Sequence, residues 1–240
     1  MNWQNVATIA RKDITIMMTR RSLRIALVVL PLGLAVLFSQ IIARSSMTAD
    51  ELPKTLTAFL FFFMIYTGAL PANLASYSMV GEKVERSLEP LLATPASDTE
   101  ILLGKALAAL VPPLVVMWAG MVTLMALCDA YTHATLGYLY FPNWLAVVTV
   151  FGLAPLLGLM AVAFSVLMSA RVSEVRTAQQ LGALTAIPGV VLYIGLLSGA
   201  FTLDLASVAV LCGVFAAVDA GLVLAARATF HREEILTRWA

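Results

Sequence analysis

Apolar residues in this chain come in six long runs, not in the short alternations of a soluble fold. The runs are 25–42, 55–80, 101–128, 145–168, 180–199 and 205–226. Each reaches the ~18 residues at which a helix can cross a hydrocarbon layer of roughly 30 Å. The pattern therefore predicts an all-α, polytopic membrane protein with six transmembrane helices. The third run, counted from a cap at Ser97, makes a helix of about 30 residues or roughly 45 Å, so its first turns must protrude or tilt. Prolines interrupt the first five runs (Pro31, Pro71, Pro112-Pro113, Pro155 and Pro188). Membrane helices tolerate them where neighbours satisfy the freed carbonyls, and kinking for packing is the plainest reading.

Ahead of the first run, residues 2–22 have a different period. Trp3, Val6, Ala10, Ile14, Met17 and Met18 share one helical face, while Gln4, Asn5, Thr8, Arg11, Lys12 and Thr15 share the other. That is the pattern of an interfacial helix lying in the membrane plane, its basic side towards anionic lipid. The lead is too long and too amphipathic for a signal peptide. Residues 129–142 gather Tyr131, Tyr138, Tyr140 and Phe141, with Trp144 beyond, and read as an interfacial aromatic belt. In that loop Asp129 and His133 read as solvated. Gly195 and Gly199 form a small-xxx-small face on the fifth run, a close-packing signal.

Composition agrees with the pattern: 61% of residues are hydrophobic and 12% charged, about half the charge of a soluble chain. The distribution of charge carries more than its sum. With both termini inside, only Arg44 and Lys54 of the 15 lysines and arginines fall outside. The positive-inside rule thus predicts cytoplasmic N- and C-termini and a cytoplasmic tail at 227–240. Cys128 and Cys212 are the only cysteines, and packing is the simpler reading of both.

The longest polar interruption lies between the second and third runs, at 81–100. Ser87 is placed to cap a helix, and Pro90 falls in its first turn, where a missing N–H costs nothing. Leu88, Leu91 and Leu92 then recur on one face. Thr94 precedes Pro95 and is pushed out of the helical region, which ends the helix. Ser97 and Glu100 follow as a capping box for the next span. A short surface helix is predicted, presenting leucines at the membrane face, either to headgroups or to a soluble partner.

The stretch EKVERSLEPLLATPASDTEILLGK resembles the E-K-E-R-x-x-x-x-L-L-x-x-P-[VS]-[SR]-x-x-E-[IL]-[LV]-x-G-K signature of ATP-binding-cassette (ABC) permeases of the type-2 exporter class. The resemblance implies that 81–100 is a coupling segment docking on a separate ATPase subunit. Glu82, Glu85, Arg86, Leu88, Glu89, Leu91 and Leu92 are then the docking residues. It also implies a homodimer or heterodimer of permease subunits in the plasma membrane (cell inner membrane), in contact with lipid and with no nucleic acid. Export by alternating access, driven by ATP hydrolysis on the partner chain, goes with it. One departure stands out. Many relatives carry a re-entrant element between spans 5 and 6, whereas only about five residues, Ala200 to Asp204, separate these runs.

Other chemistry is missing. No G-x-x-x-x-G-K-[ST] occurs, since Gly104-Lys105-Ala106 lacks the upstream glycine and the hydroxyl residue. H-E-x-x-H and G-x-S-x-G are missing too. Neither catalytic residue, cofactor nor metal is expected. Met117, Met121 and Met125 form a stripe on the third span that reads as pliable packing or as the wall of a substrate path. Asp219 is the one acid well inside a span; ionised and alone there it would cost several kcal/mol. Lys105 enters the membrane from the same side at similar depth, so the two are a candidate intramembrane pair, the alternative being a snorkelling Lys105 and a hydrated Asp219. Two functional alternatives stay open: an ATPase-coupled membrane protein in signalling or envelope assembly that transports nothing, and a channel or carrier independent of ATP.

Overall fold

The computed structural model describes residues 1–19, 21–81, 96–169, 172 and 174–229. The predicted coupling helix, with Glu82, Glu85, Arg86, Leu88, Glu89, Leu91 and Leu92, lies outside the described residues, as does the tail from 230.

The described residues are helical, without strands. In chain order they are α1 (Trp3–Thr19), α2 (Arg21–Arg44), α3 (Leu52–Ser76) with a π-turn at Tyr77–Gly81, and α4 (Asp98–Leu136). Next come α5 (Trp144–Val148), a π-turn at Thr149–Leu153 and α6 (Ala154–Ser169). Then follow α7 (Val175–Ala183), a 3₁₀ turn at Leu184–Ala186, α8 (Ile187–Leu197) and α9 (Leu205–Thr229). Six stretches of the described chain are long and apolar enough to cross a membrane: Leu23–Arg44, Leu52–Val80, Asp98–Leu136, Trp144–Ser169, Val175–Leu197 and Leu205–Arg227.

The prolines divide into two kinds. Pro31, Pro71 and Pro112-Pro113 sit inside continuous helices. Pro155 and Pro188 instead fall at the starts of α6 and α8, just after the π-turn and the 3₁₀ turn. There the local change of winding removes the hydrogen bond that proline could not make. Spans 4 and 5 are therefore built in segments.

α3 is the hub. It packs against α4, α6, α7 and α8, and its Leu56, Leu60, Phe61, Phe63 and Met64 are fully buried. In lipid there is no hydrophobic gain from bringing two helices together, so close packing must supply the attraction. Glycine provides it here. A Cβ on Gly68 would stand 2.6 Å from the Thr185 carbonyl oxygen, and one on Gly189 would stand 2.7 Å from the backbone of Met64 and Ile65. α3 and the 184–197 segment thus touch backbone to backbone, and Thr185 Oγ1 donates to the Gly68 carbonyl at 3.0 Å. On the other side, Phe38 of α2 stacks on Phe59 with centroids 4.4 Å apart. α9 is peripheral, resting on α5, the second π-turn and α6.

Three expectations change. The loop acid Asp129 is buried, because α4 runs on to Leu136 and folds the following chain back over it. Its carboxylate accepts from the backbone N–H groups of Tyr140 and Phe141 at 3.1 Å. The aromatic segment is correspondingly mixed: Phe141 is buried and Tyr140 bonds Thr57, whereas Tyr138 and Trp144 are exposed. The nearest neighbour of Gly195 is a turn residue: a Cβ there would collide with the Phe201 ring, and Gly199 has φ +70° at the end of α8, so both glycines serve the turn into α9.

Candidate functional site

The most connected polar assembly among the described residues lies where α1 meets the start of α4, on both sides of segment 82–95. α4 opens with the capping box that its sequence predicts: Ser97 Oγ accepts from the Glu100 N–H at 3.3 Å, and Glu100 Oε2 accepts from the Ser97 N–H at 3.1 Å. Glu100 has a second task. Its Oε1 accepts from the Asn2 N–H at 2.6 Å and its Oε2 from Asn5 Nδ2 at 2.9 Å, which fastens the first turn of α1 to the cap of α4.

One turn after Glu100, Gly104 lets α1 come close. A Cβ at this position would stand 2.8 Å from Ile9 Cβ and 3.1 Å from the Val6 carbonyl oxygen. The next residue, Lys105, is 1% exposed and holds α1 at Asp13. Its Nζ lies 3.3 Å from Asp13 Oδ2, and it donates to Ser78 Oγ at 3.2 Å and to the Ser78 carbonyl at 3.3 Å. Ser78 Oγ in turn donates to Asp13 Oδ2 at 2.8 Å. A buried ammonium is costly without a counter-charge and costs far less inside a closed ring of this kind. The Gly-Lys pair that ends the resemblance motif thus has two physical jobs: one residue makes room for α1 and the other bonds it.

The assembly sits on an apolar floor of Met17, Leu74, Met79, Leu102, Val162, Val166 and Ala226. Ser78 belongs to the π-turn that precedes residue 82, and Lys105 lies two turns into the helix that follows residue 95. Asp13 therefore touches the chain on each side of the predicted coupling helix.

This geometry corrects the expected pair. Lys105 is committed to Asp13 and Ser78, and Asp219 lies on α9, which rests on α6 and not on α4. Equal depth in the membrane does not mean adjacency: α4 packs on α1, α2, α3 and α6, whereas α9 packs on the α5–α6 segment. The reading of α1 changes with it. Its buried face is Val6, Ile9, Ala10, Asp13 and Met17, whereas Trp3 is 66% exposed, so the helix packs on protein through a stripe with an acid at its centre. Asp13 is the site residue that sequence reasoning misses, although a signal for it exists. It falls at helical spacing between Ala10 and Met17, in register with the apolar face. An acid in that position needs a buried partner.

The methionine stripe separates likewise. Met117 and Met121 are fully buried in the core, while Met125 lines a cavity of about 330 Å³ with Val122, Phe141, Val147 and Phe151 between α4 and the α5 segment. Cys128 and Cys212 are both free thiols. No group of three or more His, Cys, Asp and Glu placed to hold a metal occurs among the described residues.

Comparison with curated proteins finds no match to the chain. A family model described as "ABC-2 family transporter protein" does match, over residues 7–211. The match begins inside α1 ahead of Asp13, takes in Ser78, Lys105 and the segment between them, and extends into α9. With six membrane-crossing helices and most of its length within that match, the chain belongs to the ABC-2 family of transporter proteins.

Proposed function

We propose that this chain is the permease of an ABC exporter, that a separate ATPase docks on segment 81–100, and that the docked segment moves the helices joined to it in an alternating-access cycle. Family membership makes the chain a membrane permease component of an ABC transporter and implies an ABC ATPase as its associate. The observation that carries the finer reading is the Asp13–Lys105–Ser78 ring, which ties together α1, the chain that leads into residues 82–95 and the helix that follows them. A push on residues 82–95 would be delivered through their two ends to the three elements that the ring joins.

On this reading the segment faces the cytoplasm with both termini, in the plasma membrane, as the distribution of lysine and arginine favours. Two permease subunits, identical or not, assemble with the ATPases. Leu88, Leu91 and Leu92 supply the buried anchors of docking, and Glu82, Glu85, Arg86 and Glu89 set its register. The test is retention of the ATPase on a tagged permease after Leu91→Asp and Leu92→Asp are introduced together. The expected outcome is loss of most of the bound ATPase at unchanged membrane insertion. Undiminished retention would refute the docking role.

A further inference from the structure

Asp219 takes no part in the Asp13–Lys105–Ser78 ring. It is 3% exposed, and neither carboxylate oxygen has a hydrogen-bond partner among the described residues. Its position on α9 is systematic. Val208, Phe215, Asp219, Leu222 and Ala226 recur at helical spacing and form the face that packs inward, while Val210, Val214 and Leu224 point away from the bundle. The acid is thus held in the seam between α9 and the elements beneath it.

Those elements are α5, the second π-turn and α6. Residues 144–169, which comprise all three, contain no Asp, Glu, His, Lys, Arg, Cys or Tyr. On α9 itself the nearest ionisable side chains are Cys212, about two turns above, and Arg227, exposed about two turns below. Lys105 is occupied by Asp13. Contrast the other two buried aspartates of the described bundle: Asp13 has an ammonium and a hydroxyl, and Asp129 has two backbone N–H groups. An ionised carboxylate in the surroundings of Asp219 would have neither water nor any counter-charge from the helices it rests on, and such an ion is expensive in the membrane interior.

We propose that Asp219 is a proton-binding site: the carboxyl carries a proton while α9 is seated on α6, and gives it to water when that seam opens. The exchange involves one O–H bond only. A carboxylate takes a proton from the aqueous phase as the seam closes, and the acid returns it on hydration. The seating of α9 and the proton occupancy of Asp219 are then one linked equilibrium, whatever the transported substrate.

Dicyclohexylcarbodiimide, an apolar reagent that reacts with protonated carboxyls, tests this on the full-length protein in its membrane, with the modified residue located by peptide mass spectrometry. The expected result is a label on Asp219, none on Asp13, and no label at this position with a water-soluble carbodiimide. Absence of label on Asp219 would overturn the proposal. So would equal reaction with the water-soluble reagent, which would mean a hydrated carboxylate. A second measurement does not depend on reagent access. Asp219→Asn presents a neutral group of the same shape, so its thermal midpoint should match that of the parent protein. A loss as large as that of Asp13→Ala would mean that the negative charge is required, and would overturn the site equally.

Discussion

Removing the Asp13 carboxylate should expose how much of this structure depends on one buried charge pair. In Asp13→Ala, Lys105 keeps its bonds to Ser78 Oγ and the Ser78 carbonyl, at 3.2 and 3.3 Å, but its ammonium, 1% exposed, loses the carboxylate at 3.3 Å. Breaking a buried pair from one side costs about 3–5 kcal/mol. For a chain of this size, about 2–4 °C of midpoint accompanies each kcal/mol, so a drop of roughly 6–20 °C is expected. Asp13→Asn keeps an oxygen for Ser78 and loses only the charge, and it should fall between the parent and the alanine variant. Most informative is the double variant, Asp13→Ala with Lys105→Met. Removing both charges abolishes the desolvation cost along with the attraction, and well-packed apolar replacements of buried pairs are often neutral or better. The double variant should recover more than half of the loss. The assay is the temperature at which the detergent-purified protein loses its size-exclusion peak. A single variant indistinguishable from the parent, or a double variant as poor as the sum of the two singles, would refute the reasoning.

Two further outcomes are expected. Gly104→Ala should lower the midpoint through about 1–3 kcal/mol of overpacking, since the new methyl meets Ile9 Cβ at 2.8 Å and the Val6 carbonyl oxygen at 3.1 Å; an unchanged midpoint would mean that α1 does not rest on this glycine. Single cysteines at Thr48, Thr135 and Thr202, in a background lacking Cys128 and Cys212, should react with an impermeant thiol reagent added outside, whereas cysteines at Ser87, Ser173 and Thr237 should react only once the membrane is opened; an exchange between the sets would invert the proposed orientation.

The six crossing helices are legible in the chain because a membrane span needs a long apolar run, and each run is complete in itself. The capping box is legible for the same reason: Ser97 and Glu100 are three residues apart and their bonds are local. Neighbour relations are a different kind of information. Nothing in a hydropathy profile says that α4 packs on α1, α2 and α3 or that α9 packs on α6, so depth alone pairs Lys105 with an acid on the wrong helix. Gly195 illustrates the same limit. A small residue announces a close approach, but the visitor is a phenylalanine from the adjoining turn. The partner of Lys105 is within reach of sequence reasoning once Asp13 is weighed as an interruption of the apolar stripe of α1.

The backbone contact at Gly68 has a consequence for how the protein is made. Its partner, Thr185, is 117 residues further along the chain. At a synthesis rate of about 5–20 residues per second, the second span waits about 6–23 s before the surface that fills its notch has been translated. Asp13 and Lys105 stand in the opposite order of need: the acid is already waiting when the base enters the bilayer, so the cation need never lie there alone. The hub helix is therefore the nascent element with an unfilled backbone face, and the interval before residues 184–197 emerge is when the ribosome-bound chain most requires shielding from other helices.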